Sequence, residues 1–545
     1  MKSTTMNYPL TLPHILERAG RLFPKVEIVS RMPDKSIHRT NYGNFYRRSK
    51  ALAEALQKAG LRRGERVGTL MWNHYAHMEA YFGIPCAGGV LHTLNLRLSA
   101  PDLAFIVIHA GDQFLIVDDV LLPLFEKIRD EVKIKNVIVV PLTGKPVPHG
   151  YINYEDFIGE STGNFQYPDL DEDEALGMCY TSGTTGRPKG VVYSHRALVL
   201  QSMAECMPLG LHISQNDVLL PVVPMFHVNA WGLPFACTMT GTKLVMPGPH
   251  LDAVSILDLF EQEKVTVSAG VPTIWFGILQ ALEKNPNGWK LTPGLRMIVG
   301  GSAASESMIR AFDTHGMRII HAWGMTETAP LGSVSLLKSG MADELSADEQ
   351  YEYRAKQGMQ MPFVDMRAVN EKGEVPWDGQ TMGELQVRGP WIASSYFEPV
   401  EPVTNWTDDG WFRTGDIVTI DPEGYMKITD RAKDLIKSGG EWISSVDLEN
   451  RLMGHPAVAE AAVIGIPHPK WDERPLAAVV LKPDAKATSD ELLEYLAPHF
   501  AKFWLPDYVV FIDAIPKTTT GKFLKTALRE QFKDHHFTLE ARQAQ

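Results

Sequence analysis

Cysteine is scarce in this 545-residue chain: Cys86, Cys179, Cys206 and Cys237 stand apart, with no Cys-x-x-Cys pair. The scatter argues against a zinc site or a disulfide framework and for reduced, mostly buried thiols. No run of about eighteen apolar residues occurs, and the stretch from Met1 to Pro13 has no continuous apolar core. A cytoplasmic protein without a transmembrane segment is therefore expected, with peripheral membrane contact left open. No long basic run is present, and the net charge of −12 argues against a nucleic-acid surface. Internal repeats and low-complexity tracts are also missing. At this length one core does not suffice, so two or more domains are expected.

The stretch richest in chemistry is Tyr180-Thr181-Ser182-Gly183-Thr184-Thr185-Gly186-Arg187-Pro188-Lys189-Gly190, set between the apolar runs 176–180 and 191–193. Glycines let backbone amides turn inward, hydroxyls donate to oxyanions, and Arg187 and Lys189 supply positive charge. These are the parts of a polyphosphate-holding loop. A Walker A arrangement is nevertheless lacking, because no glycine stands four residues before a Gly-Lys-Ser/Thr triplet. A mobile Gly/Ser/Thr surface loop is the competing reading.

Around this loop the pattern alternates helix and strand. Helices are expected at Asn44 to Ala59, Ser99 to His109 and Ala253 to Glu263. Buried strands are expected at Arg66 to Trp72, Gln113 to Val117, Asn136 to Val140, Val218 to Val223, Lys243 to Met246, Val265 to Ser268, Arg296 to Val299 and Arg318 to Ile320. Such alternation predicts an α/β protein with mostly parallel, helix-covered sheets. Ligands in these sheets gather where strands end, here in the loops 224–231, 300–305 and 323–328. Residues 347–356 read as a polar helical surface insertion. A β-rich region with Gly/Asp turns follows, and a small mobile α+β unit occupies the C-terminal part. The expected division is an N-terminal domain over 1–429 with its β-rich subdomain at about 361–429, a hinge at 430–435 and a C-terminal domain over 436–545.

Several separated stretches then fall into one order. Thr181 to Gly190, Pro224-Met-Phe-His227, Trp323-Gly-Met-Thr-Glu-Thr328, Gly410-Trp-Phe-Arg-Thr-Gly-Asp416, Tyr425-Met-Lys-Ile-Thr-Asp-Arg431 and Pro516-Lys-Thr-Thr-Thr-Gly-Lys522 resemble the signature blocks of the adenylate-forming enzymes. That superfamily includes acyl-CoA synthetases, firefly-type luciferases and peptide-synthetase adenylation domains. The linker Asp430-Arg-Ala-Lys-Asp-Leu-Ile-Lys-Ser-Gly-Gly-Glu-Trp-Ile-Ser444 is most similar to those of medium- and long-chain fatty acyl-CoA synthetases and 3-methylthiopropionyl-CoA ligases.

The resemblance implies ATP, Mg2+ and coenzyme A as reaction partners and a two-step ligation through an acyl adenylate. Thr181, Ser182, Gly183, Thr184, Thr185, Gly186 and Lys189 would hold the β- and γ-phosphates, with Thr184 and Glu327 on Mg2+. Gly301, Ser302, Ala303 and Ala304 would lie against adenine, beside Trp323, Gly324, Met325 and Thr326. Asp416 and Arg431 would take the ribose. Lys522 would bridge carboxylate and α-phosphate during adenylation. After rotation about Lys433, the stretch Lys437, Ser438, Gly439, Gly440, Glu441 and Trp442 would form the pantetheine passage, with Lys437 among the catalytic groups. His227 would line the acyl end, and Trp231 is either a gate across an acyl tunnel or plain core.

The expected activity is that of an ATP-dependent acyl-CoA synthetase for a medium- or long-chain aliphatic acid. A 3-methylthiopropionate or aryl-acid ligase using the same chemistry is the alternative. A kinase or ATPase lacks its Walker A lysine, and a non-catalytic scaffold has no use for Lys522, Glu327 and Asp416 together. A peptide-synthetase module is disfavoured because the sequence ends soon after Lys522. A homodimer through the N-terminal domain is the expected assembly, if one forms.

Overall fold

The computed structural model describes residues 1, 3–159, 161–181, 187–438, 441–517 and 523–533, apart from the side chain of Glu441. Expected phosphate-loop residues Ser182, Gly183, Thr184, Thr185 and Gly186, with Gly439, Gly440 and Lys522, lie outside the described residues.

Two large sheets dominate, with nine and seven strands. Apolar runs such as Phe114–Asp118 are buried along their whole length, as strands covered on both faces require. The helices between them carry ordinary caps. Asn41 accepts from the Asn44 amide to open Tyr42–Lys58, and Asp252 accepts from Ser255 to open Ala253–Glu263. In the nine-stranded sheet the neighbours Val218–Pro221, Val267–Gly270, Arg296–Val299 and Arg318–Gly324 all run parallel. Their exit loops consequently emerge side by side. The seven-stranded sheet is parallel except for its edge strand Gly190–Ser194, which pairs antiparallel with Ala175–Tyr180 in the hairpin that carries the glycine-rich loop.

One expected strand shifts. The segment predicted at Val265 to Ser268 is paired over Val267–Gly270, because Lys264 ends the preceding helix in a left-handed conformation (φ 55°) and Val265 N–H closes back on the Phe260 carbonyl. The helix Ala347–Ala355 has no buried residue, as an insertion over the surface should.

A third, antiparallel sheet is built from Asp365–Asn370, Gly373–Glu374, Gly383–Arg388, Phe412–Ile420 and Met426–Arg431. Its register sets Asp416 opposite Arg431. A fourth sheet combines Ile436–Ser438, Glu441–Ile443, Val458–His468, Asp472–Leu481 and Tyr508–Phe511. Its apolar clusters, around Ile436, Val463 and Leu492 and around Ile464, Leu476 and Leu528, draw only on residues from 436 onward. The strand ending at Arg431 runs past the compositional boundary near Asp430, so the connection between these regions is the short turn at residues 432–434. Among the described residues no helix is long and apolar enough to cross a membrane.

Candidate active site

A cavity of about 600 Å3 opens where the four parallel strands end. Its polar wall is organised by Asp416, which is 1 % exposed. The Trp323 indole N–H donates to Asp416 Oδ2 at 2.9 Å, and Arg431 Nε sits 2.7 Å from Oδ1. The Asp416 amide donates to Thr414 Oγ1, fixing the strand at this point. Each carboxylate oxygen has one partner and retains accepting capacity towards the cavity. Trp323 can lie flat because Gly332 beneath it has no side chain: a Cβ there would meet the ring at 2.3 Å.

Gly301, Ser302 and Ala303 also line the cavity, Gly301 with a φ of 80° that a side chain would disfavour. Ala304 does not line it. It is buried in the core behind, and its amide donates to His321 Nε2 at 3.3 Å. His321 Nδ1 in turn donates to the Ala355 carbonyl, so the ring is neutral in this position, and burial pushes it down to about 4.

Glu327 lies on the short turn Thr326–Thr328 after the strand Arg318–Gly324 and is 5 % exposed. The Tyr396 hydroxyl donates to its Oε1 at 2.5 Å, and burial raises the Tyr396 hydroxyl far above its ordinary value. Lys189 Nζ stands 5.0 Å from the centre of the Tyr396 ring, a cation–π distance. Tyr193 donates to the Thr326 carbonyl. Thr181 and Lys189 close the base of the glycine-rich hairpin on each other: Thr181 N–H donates to the Lys189 carbonyl, and Lys189 N–H donates to Thr181 Oγ1. Tyr396 therefore couples the hairpin's lysine to the carboxylate expected to hold a metal. It sits in no recognisable motif, which is why sequence reading missed it. Met325 and Gly324 complete this wall.

The chemistry of these donors fits Mg2+, a hard ion that takes one or two carboxylates plus substrate phosphate oxygens rather than an all-protein cage. Among the described residues no cluster of three or more His, Cys, Asp or Glu could hold a metal.

The second wall is apolar. His227 is half-buried and borders both this cavity and a small neighbouring one of about 60 Å3. Beyond it, Val228, Asn229, Ala230 and Trp231 carry φ values of 38°, 54°, 48° and 59°. Consecutive left-handed L-residues cost about 1–2 kcal/mol each. Burial holds the turn in place, with Val228, Asn229 and Ala230 at 3 % exposure or less. Trp231 packs on Gly300, where a Cβ would meet its ring at 3.1 Å.

The C-terminal region closes the cavity with Phe523, Leu524, Lys525 and Thr526, which flank Lys522 in sequence. Lys433 borders it too, and burial lowers the Lys433 ammonium. By contrast Lys437, Ser438 and Trp442 do not line it. Lys437 N–H donates to Glu473, and Ser438 Oγ accepts from Arg474. Lys525, missed in the sequence, pairs with Glu449 at 2.7 Å and donates to Ser445, whose amide donates to Asp430. This buried group ties the end of the third sheet to two C-terminal helices.

Residues 16–397 match the AMP-binding enzyme family and residues 447–522 the AMP-binding enzyme C-terminal domain. The chain belongs to this family. It is 50% identical over 537 residues to a long-chain-fatty-acid–CoA ligase of Thermus thermophilus, covering 98% of both chains. It is 43% identical over 541 residues to a 3-methylmercaptopropionyl-CoA ligase of Ruegeria lacuscaerulensis, covering 98% of this chain and 99% of the other. Among solved structures, the anthranilate CoA ligase in complex with anthranoyl-AMP is similar with a TM-score of 0.85 at 25% identity, over 98% of this chain and 99% of that one. Family membership accounts for the order of motifs and for the separate C-terminal sheet.

Proposed function

We propose that the chain is an AMP-forming carboxylate:CoA ligase acting on an aliphatic acid of medium or long chain. The observation that carries this reading is one cavity joining the Asp416–Trp323–Arg431 wall, the Glu327–Tyr396–Lys189 cluster and an apolar pocket at Trp231. In the first step a carboxylate oxygen attacks the α-phosphorus of ATP, the bond to the β-phosphate oxygen breaks, and pyrophosphate leaves. Two anions have to approach, so fixed donors matter more than proton transfer. Asp416 and Arg431 hold the ribose, Gly301 to Ala303 face the base, and Lys189 with the loop hydroxyls grips the leaving group. Glu327 and Thr184 would hold Mg2+, which would supply neutralisation of the phosphate charge. Lys522 spans the reacting oxygens.

In the second step the CoA sulfur attacks the acyl carbonyl and AMP leaves. Lys522 has then to withdraw. The turn at Lys433 is the hinge, dividing a domain over 1–429 from one over 436–545, and rotation brings Lys437 to Trp442 to the cavity. The present arrangement, with Phe523 to Thr526 at the cavity and Lys437 away from it, supports reading this as the adenylating orientation. Trp231 acts as a gate, and the strained turn beneath it is the part that moves.

Incubation with ATP, Mg2+ and octanoate is expected to release pyrophosphate, and to form AMP once CoA is added. Orthophosphate with ADP would contradict the reading. A panel from propionate to palmitate with 3-methylthiopropionate and benzoate, followed by CoA consumption, identifies the acid; a maximum at the thioether acid would favour the second named relative.

A further inference from the structure

Behind the apolar wall lies a polar pair that the two-step chemistry does not use. Glu205, at the end of the helix His195–Cys206, is fully buried and borders the cavity beside Leu211 and Trp231. Gln201, one turn earlier, is also fully buried. Its Nε2 donates to Glu205 Oε1 at 2.6 Å and to the Trp231 carbonyl at 3.3 Å. A carbonyl can only accept, so the Trp231 contact fixes which way the Gln201 amide points. Two buried atoms of this pair have no hydrogen-bond partner: Glu205 Oε2 and Gln201 Oε1.

Burial raises the Glu205 carboxyl well above the usual carboxylate range, and its neighbour is an amide rather than a cation. Such a site favours the neutral form of the acid. Since Oε1 already accepts from Gln201, the proton of the neutral form would sit on Oε2, which, like Gln201 Oε1, has no partner. Buried polar atoms without a partner are costly, so each calls for a reason, and a ligand group that completes them is one.

We propose that the Glu205–Gln201 pair is a specificity-determining wall of the acyl pocket, selecting aliphatic acids that carry a hydroxyl or thioether towards the tail. It rests on the ligase reading above and names its substrate class more narrowly. A hydroxyl answers both open atoms, accepting from Glu205 and donating to Gln201; a thioether answers Glu205 alone. Because Gln201 also holds the Trp231 carbonyl, a tail group reaches the pair as the strained turn gives way.

The test uses the whole enzyme with linear acids from butanoate to decanoate and with counterparts whose terminal methyl is replaced by hydroxyl, comparing kcat/KM by AMP formation. For at least one length the hydroxy acid is expected to be used about tenfold better than its methyl isostere. Glu205→Leu is expected to reverse that preference at unchanged KM for ATP. Glu205→Gln, which keeps a neutral donor, should retain it within about threefold. A wild-type enzyme that favours the methyl acid at every length would overturn the proposal, and so would a hydroxyl preference that survives Glu205→Leu. Should Glu205→Leu fail to fold, the wild-type series decides alone. AMP formation from none of these acids would overturn this proposal, and AMP formation from palmitate, 3-methylthiopropionate or benzoate would then leave the ligase reading standing without it.

Discussion

The two walls of the cavity are built on opposite principles. On the side proposed to take the nucleotide the buried polar groups have fixed partners: Asp416 with Trp323 and Arg431, Glu327 with Tyr396, His321 with Ala304 and Ala355. On the acyl side the backbone is left-handed over Val228 to Trp231, and Gln201, Glu205 and Asn229 each have an atom without a partner. A satisfied network is rigid, and a strained, incompletely bonded one has another arrangement within reach. The contrast matches the task, since ATP is the same in every cycle while the acid has to be admitted and sorted. Changes on the first wall should cost rate with every acid alike, and changes on the second should alter which acid is used.

The largest effect is expected at Lys522, the lysine proposed for adenylation. Lys522→Ala should lower acyl-adenylate formation by about a thousandfold or more, the scale of losing a fixed charge at the transition state. Thioester formation from synthetic acyl adenylate should stay within about tenfold. Equal loss of both steps would remove the case for two orientations. Lys433→Pro restricts the turn between the regions and should act in reverse, reducing overall CoA ligation about a hundredfold while sparing pyrophosphate release.

Asp416→Asn sharpens the comparison directly. Hydrogen bonds to a charged group are worth about 1.5–3 kcal/mol, so kcat/KM for ATP should fall roughly 10- to 150-fold with an unchanged ranking of acids. Trp231→Ala should do the opposite, moving the preferred chain length while KM for ATP changes less than about twofold. A changed ranking in the first variant, or a weakened ATP site in the second, would break the distinction.

The last effect concerns pH and acts on stability rather than on turnover. Burial lowers His321 and His195 to about 4 from an ordinary 6.5. Their neutral forms contribute stability that is present above about pH 6.5 and is lost as pH falls towards 4, at up to about 1.4 kcal/mol per pH unit for each ring. Urea unfolding followed from pH 7 to pH 4 should show that decline, and His321→Gln should make it shallower.

Much of the framework was legible because burial and local pattern agree. Lys243–Met246, Arg296–Val299 and Ala253–Glu263 form where periodicity and caps put them. The helix Tyr75–Cys86 left no such trace: Ala76 to Cys86 are all buried, so no polar face gives it a period. At the site, Asp416, Arg431 and Trp323 touch one another and line the same cavity as Glu327, all four having been named from their motifs. Tyr396 and the Glu205–Gln201 pair were not foreseen, because their meaning comes from partners far away in the chain or from a missing partner. Trp231 could be named but not placed, since a sequence does not show four left-handed residues in a row.

The account rests on a bond from the acid's own oxygen to the α-phosphate. Octanoate labelled with heavy oxygen in its carboxylate, turned over with ATP and CoA, is predicted to leave one labelled oxygen in AMP and none in pyrophosphate. Label in orthophosphate, with AMP unlabelled, would contradict it.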